Sequence, residues 1–115
     1  TGVIFPSRIL NALAESLLPH GRLGLLIPLP EQSNKLVAKW QRSGVEVVAE
    51  ALRPSADEAE TRNAAERLAH LTPDLVAMDC MSYTPYSKAI VSATVGVPTL
   101  LAITATGRVI RELLE

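Results

Sequence analysis

Four short apolar runs, each followed by a stretch of helical period, limit this chain to few folds. The runs are residues 23–27, 45–52, 75–78 and 97–103, all of strand length. Turn formers bound them: Pro19-His20-Gly21 before the first, Pro28-Leu29-Pro30 after it, Arg53-Pro54 after the second, and Gly96 before the fourth. A helix from Pro6, with Leu10, Leu13, Ala14 and Leu17 at helical spacing, precedes them all, behind an apolar lead-in from Gly2 to Phe5.

The other helical segments carry their own end signals. Glu31 opens the second, which sets Leu36, Val37 and Trp40 on one face. Lys39 and Arg42 come near its end and Gly44 just beyond, the charge order a helix dipole favours. Ser55 and Glu58 have capping-box spacing, Asp57 adds charge to the same first turn, and that helix runs through Ala64, Ala65 and Leu68 to about His70. Thr84-Pro85 reads as an N-cap followed by proline at the first helical position, with the helix over residues 86–95 closed by Gly96. The last helix gathers Val109, Ile110, Leu113 and Leu114, with Gly107 near its start.

Strands separated by helices pair in parallel, and right-handed crossovers make 2-1-3-4 the simplest order. The expected fold is α/β, a three-layer open sheet of four parallel strands with helices on both faces. A length of 115 residues suits one compact domain with a real core and is too short for two. Only 3% of residues are aromatic against 48% hydrophobic, so the core must be built from Leu, Val, Ile and Ala.

In a 2-1-3-4 sheet the order reverses between the first and third strands. The loops that leave them, residues 28–32 and 80–84, diverge around a crevice. The second loop leads into a helix start, whose amides suit a carboxylate or phosphate. Residues 104–107 are expected as a further loop one strand away, with two hydroxyls and a glycine. No glycine-rich phosphate loop or dinucleotide fingerprint is present.

Asp79 and Cys80 end the third strand, and Cys80 is the chain's one cysteine. A thiol there can act as an acid/base group or nucleophile. A helix amino end lowers a thiol's pKa and a neighbouring carboxylate raises it, so the balance is open. Equally, Cys80 can be a buried small hydrophobe. Asp79 suits either function or a turn or cap. Ser82 and Thr84 can bind ligand oxygens, with N-cap duty the competing role for Thr84. Tyr83 and Tyr86 can line a pocket or simply pack. Glu31 and Gln32 can reach the crevice, although the helix dipole alone accounts for Glu31. His20 reads as a solvated turn residue and His70 as a helix-end base. No His, Cys, Asp and Glu set has metal-ligand spacing, so neither metal nor cofactor is expected.

The net charge of -1, without a basic cluster, gives no electrostatic argument for nucleic acid or an anionic membrane. No apolar run approaches a membrane span and no signal-peptide pattern opens the chain. A lone cysteine fits a reducing cytoplasm. The start at Thr1 suggests a fragment or processed product.

Three stretches together resemble AroM proteins: Phe5-Pro6-Ser7-Arg8-Ile9-Leu10; Leu23-Gly24-Leu25-Leu26-Ile27-Pro28-Leu29-Pro30-Glu31-Gln32; and Leu75-Val76-Ala77-Met78-Asp79-Cys80-Met81-Ser82-Tyr83. The closing Val97-Pro98-Thr99-Leu100-Leu101 and the final helix fit as well, so the resemblance spans nearly the whole chain. It implies membership of the aspartate/glutamate/hydantoin racemase superfamily. There, similar α/β domains face each other across a cleft, each typically contributing a cysteine, and the thiols act on opposite faces of a carbon next to a carboxylate. Residues 1–21 would then be a lead-in segment and crossing helix from an absent amino-terminal domain. Residues 22–115 would be the carboxyl-terminal domain, half of a two-domain racemase-like fold.

The same resemblance matches Cys80 to the second-domain cysteine. Amino-acid racemases follow that cysteine with Thr and His, whereas Met81 and Ser82 stand here. The function implied is a cofactor-independent racemase or isomerase acting on a small carboxylate by thiol acid/base chemistry. Cys80 would be catalytic, with Met81, Ser82, Tyr83, Thr84, Glu31 and Gln32 binding substrate. Two-base chemistry needs a second group, so the chain alone should be inactive. Its partners would be the carboxylate and the missing domain; a homodimer would also oppose two thiols, although no sequence feature demands one. The alternative is a non-catalytic carboxylate-binding domain. Met81 and Asp79 favour that alternative, and retention of Cys80 favours the enzyme.

Overall fold

Alternation along the strands sorts the core into two layers, one on each face of the sheet. The computed structural model describes residues 5–115, so of the apolar lead-in only Phe5 lies among the described residues. Its elements are α1 (Pro6–Leu17), β1 (Gly21–Ile27), a 3₁₀ turn (Pro30–Gln32), α2 (Ser33–Trp40), β2 (Val45–Ala51), α3 (Glu58–His70), β3 (Leu75–Met78), α4 (Pro85–Val95), β4 (Thr99–Leu101) and α5 (Ala102–Leu114). Leu23, Leu25 and Ile27 of β1 pack with Leu75 and Ala77 of β3 on one face. Leu26, Val76 and Met78 pack on the other.

All pairings are parallel, in the order β2-β1-β3-β4, as the strand–helix rhythm implied. The chain moves from β1 to one edge and then crosses back past β1 to β3 and β4. With the hand of each crossover fixed, that reversal of direction moves the connecting helices to the opposite face. Accordingly Trp40 of α2 joins Leu10 and Ala14 of α1 and Ala102 of α5 over one face. Ala64, Ala65 and Leu68 of α3 and Val91 of α4 cover the other. The helix read as a crossing from another domain, α1, is thus built into this core. Gly24 allows the close fit of α3 on β1, since a Cβ there would lie 3.0 Å from the Pro73 Cβ and 3.1 Å from a Leu68 methyl.

Helix ends follow local chemistry, with four departures from expectation. As expected, Thr84 caps α4 with Pro85 at its first position, and Gly96 ends it in the left-handed conformation at φ 77°. Asp57 rather than Ser55 caps α3, accepting the Glu60 N–H at 2.8 Å. The cause is a tight turn in which the Ala56 N–H reaches the Arg53 carbonyl at 3.1 Å, which leaves Ser55 outside the helix. Glu31 falls in the 3₁₀ turn before α2 rather than in the helix itself. Arg42 lies beyond α2, and its guanidinium donates to the Leu18 carbonyl, closing the end of α1 instead. Finally, β4 ends at Leu101 and Ala102 is already helical, so residues 104–107 form part of α5 and not a loop. Among the described residues no helix is long and apolar enough to cross a membrane.

Candidate functional site

The alternation of β3 continues beyond its last residue and decides where Asp79 and Cys80 point. The Asp79 N–H donates to the Leu26 carbonyl at 3.1 Å, a final rung of the β1–β3 ladder. Its side chain turns to the α2 face, where Oδ2 accepts the Trp40 Nε1–H at 3.0 Å. That indole is 2% exposed, and a buried indole N–H needs an acceptor; a carboxylate supplies a charge-assisted bond. Asp79 therefore serves neither a turn nor a cap. Cys80 faces the opposite way and packs, half-buried, against the layer that contains Leu26, Leu52 and Tyr83.

Beyond Cys80 the chain turns tightly, the Tyr83 N–H reaching the Cys80 carbonyl at 3.2 Å. Met81 and Ser82 sit exposed at the tip, and their amides have no partner among the described residues. Tyr83 turns inward to 2% exposure, and its hydroxyl donates to the Leu52 carbonyl at 2.5 Å. Leu52 in turn donates its N–H to Ile27 at 2.8 Å, so the phenol ties the turn after β3 to the chain leaving β2, over the end of β1. Burial above all pushes the Tyr83 phenol far above its ordinary pKa, with negative charge at Cys80 and Asp79 adding to the effect. Tyr83 thus anchors the turn from beneath and does not line the opening.

Thr84 is also committed. Its hydroxyl accepts the Ser87 N–H at 3.1 Å while the Ser87 hydroxyl accepts the Thr84 N–H at 3.0 Å. The Lys88 N–H takes the Thr84 carbonyl at 3.0 Å, and Pro85 has no N–H to give. At the amino end of α4 the Ser87 and Lys88 amides are therefore bonded to Thr84, while the Tyr86 amide has no partner among the described residues. The Cys80, Met81 and Ser82 amides of the preceding turn are likewise without one.

Glu31 and Gln32 stand exposed on the separate 3₁₀ turn after β1 and make no hydrogen bond to the Cys80 turn among the described residues. A cavity of about 440 Å³ opens on the α3 side of that loop, with Pro28, Leu29, Leu52, Arg53, Glu60 and Arg67 among its walls; Cys80 is not one of them. A larger hollow, about 680 Å³, lies at the opposite end of the sheet, bounded by Gly21, Arg22, Glu46 and Asp74. Volume and chemistry disagree here. The larger hollow is remote from both switch-point loops, and its polar groups already bond one another. Tyr86 is exposed, as are His20 and His70, and no metal-holding cluster occurs among the described residues.

The sequence thus brings Cys80, Met81, Ser82 and Thr84 into one turn and leaves Glu31 and Gln32 on a neighbouring loop. The residue that sequence reasoning missed as part of the site is Trp40, the chain's one tryptophan. Its signal was available: a lone indole on the apolar face of a short helix must find an acceptor.

No curated protein matches the chain. Among solved structures, arylmalonate decarboxylase superposes with a TM-score of 0.68 at 16% sequence identity, over 92% of this chain and 49% of that one. The likeness is one of fold, and this chain spans about half the length of that one. A family model described as AroM protein matches residues 1–114, taking in α1, the sheet and the Cys80 turn alike, and the chain accordingly belongs to the AroM family.

Proposed function

We propose that the chain supplies one half of a cofactor-independent, racemase- or isomerase-type site for a small carboxylate, with Cys80 as one acid/base group. The observation that carries this reading is the place of Cys80. Its thiol lies two residues beyond β3, at the switch point of the sheet and next to the unpartnered Met81 and Ser82 amides. In the step proposed, the Cys80 thiolate takes the proton from the carbon next to the carboxylate. The C–H electron pair moves into the carboxylate as an enediolate, and the S–H bond forms. A second acid on the opposite face then returns a proton, so no oxidant or other co-reactant is consumed.

That second group is outside this chain, which holds one cysteine. It would come from an amino-terminal half joined through residues 1–21, with residues 22–115 as the carboxyl-terminal domain, or from a second copy. The amides and hydroxyl at Met81 and Ser82 would hold the carboxylate, with the Met81 side chain beside it. Glu31 and Gln32 would approach from the β1 loop, while Thr84 and Tyr83 fix the turn. A free thiol in this role suits a reducing cytoplasm.

The test is solvent deuterium exchange at Cα across amino acids and hydroxy acids, with the full-length protein and Cys80→Ser. Exchange lost in the variant supports the proposal, and exchange that survives unchanged removes Cys80 from the mechanism. A second reading, a carboxylate-binding domain without chemistry, is favoured by the packing of Cys80 against the Leu26–Tyr83 layer. Carboxylates that slow Cys80 alkylation yet show no exchange would favour it.

A further inference from the structure

We infer that Trp40 is a positioning residue for the Cys80 turn: its indole holds the Asp79 carboxylate away from the turn's amides and so keeps them open to a ligand carboxylate. The inference rests on the reading of the turn as a carboxylate site.

An aspartate just before a turn can fold back on its own backbone, accepting the N–H two residues on. For Asp79 that donor is Met81, whose amide, like those of Cys80, Ser82 and Tyr86, has no partner among the described residues. A carboxylate that close would both fill the amides and repel an incoming anion. Asp79 does not do this. Its Oδ2 takes the Trp40 N–H at 3.0 Å on the far face of the sheet, and its own amide is pinned to Leu26. Among the described residues, Trp40 is the one side-chain donor to Asp79.

Among the described residues no cation is paired with Asp79. Lys39 of α2 donates to Ser7 at 3.3 Å, Arg53 is paired with Glu60, and Arg67 lies 3.3 Å from Glu50. Lys88 of α4 and Arg108 of α5 line a cavity beside β4, with Glu112. Tyr83, the other titratable group on the turn, donates to Leu52.

Cys80 is the chain's one cysteine, so its alkylation reports on the turn alone. The probes are iodoacetate, which carries a carboxylate, and iodoacetamide, which is its neutral match. The ratio of their rates reads how open the amides are. In Trp40→Phe, which keeps an aromatic ring but loses the N–H, the iodoacetate-to-iodoacetamide ratio should fall about tenfold, the worth of one charge-assisted hydrogen bond. Adding Asp79→Ala to that variant, which leaves no side-chain acceptor for the Met81 amide, should restore it. An unchanged ratio in Trp40→Phe overturns the inference, and so does a fall that persists without the Asp79 charge, since that is mere loosening.

Amide exchange in the unaltered protein provides a check that needs no variant. The Met81 and Ser82 amides should exchange fast while the Asp79 amide is protected, and protection of Met81 equal to that of Asp79 also overturns it. The parent reading fails separately, if the unaltered protein shows no preference for iodoacetate after correction for intrinsic reactivity.

Discussion

Arg22 and Asp79 both stand at the end of a buried run, one entering β1 and the other leaving β3, and their surroundings differ in kind. Around Arg22 the bonding is closed. Its guanidinium meets Glu46 at 3.0 Å, the Leu71 carbonyl at 2.6 Å and the Thr72 hydroxyl at 2.7 Å, while its amide donates to Asp74 at 2.9 Å. Around Asp79 the bonding stops short: the carboxylate is spent on an indole behind the sheet, and the two amides that follow Cys80 have nothing. The amino end has the larger hollow, and the carboxyl end has backbone amides that no protein group occupies and that face solvent. Donors left to water, more than the size of a hollow, mark where an anionic ligand can bond without displacing a protein partner.

The comparison breaks first if the carboxyl end is not braced by the core. Trp40→Ala empties the largest side chain of the α2 face, and urea unfolding should show a loss of about 3–5 kcal/mol. A loss below about 1 kcal/mol would mean the indole is not part of the packed layer. Next comes Tyr83→Phe, which strands the Leu52 carbonyl and should cost roughly 1–3 kcal/mol. It should also change the alkaline limb. The folded phenol's pKa lies above the ordinary 10.0, so its contribution is complete below 10.0 and is lost as pH rises from there toward the raised folded value. Alkaline unfolding of Tyr83→Phe should lack that component.

At the amino end Arg22→Met keeps the stem but opens the network, with an expected cost of about 1 kcal/mol, because the groups released can turn to water. A cost matching that of Trp40→Ala would erase the distinction between the ends. Smallest is Arg53→Ala. Arg53 holds the Glu60 carboxyl below its usual pKa, chiefly through their hydrogen bond. That contribution is present above the ordinary carboxyl pKa and fades as pH falls through the lowered one. In the variant the Glu60 titration, followed by NMR, should move up, with stability at pH 7 little changed because the pair is exposed.

Much of the fold was legible because each strand is a closed apolar run between turn residues, and reversal of direction dictates the face each helix covers. The boundary of β4 was not. Leu100, Leu101, Ala102 and Ile103 form one apolar string, and α5 starts inside it without a side-chain cap, so hydrophobicity could not divide strand from helix. The cap of α3 was ambiguous between Ser55 and Asp57, and the Arg53–Ala56 turn settled it. At the site, the placement of Cys80 and the capping role of Thr84 were readable locally. The bonds of Tyr83 to Leu52 and of Trp40 to Asp79 join residues 31 and 39 positions apart, and no local pattern announces such partners.

The rung from Asp79 to Leu26 has a kinetic consequence. β1 and β3 are covered on both faces, so their amides should open only with the whole molecule, whereas the tip at Met81 and Ser82 is free at all times. The frontier between those regimes falls at Asp79, within a single residue of the thiol. Cys80 hangs from the slowest-opening part of the chain and borders the fastest. Its backbone is thus tethered on one side by the global stability of the fold, while a ligand needs to order only two residues beyond it.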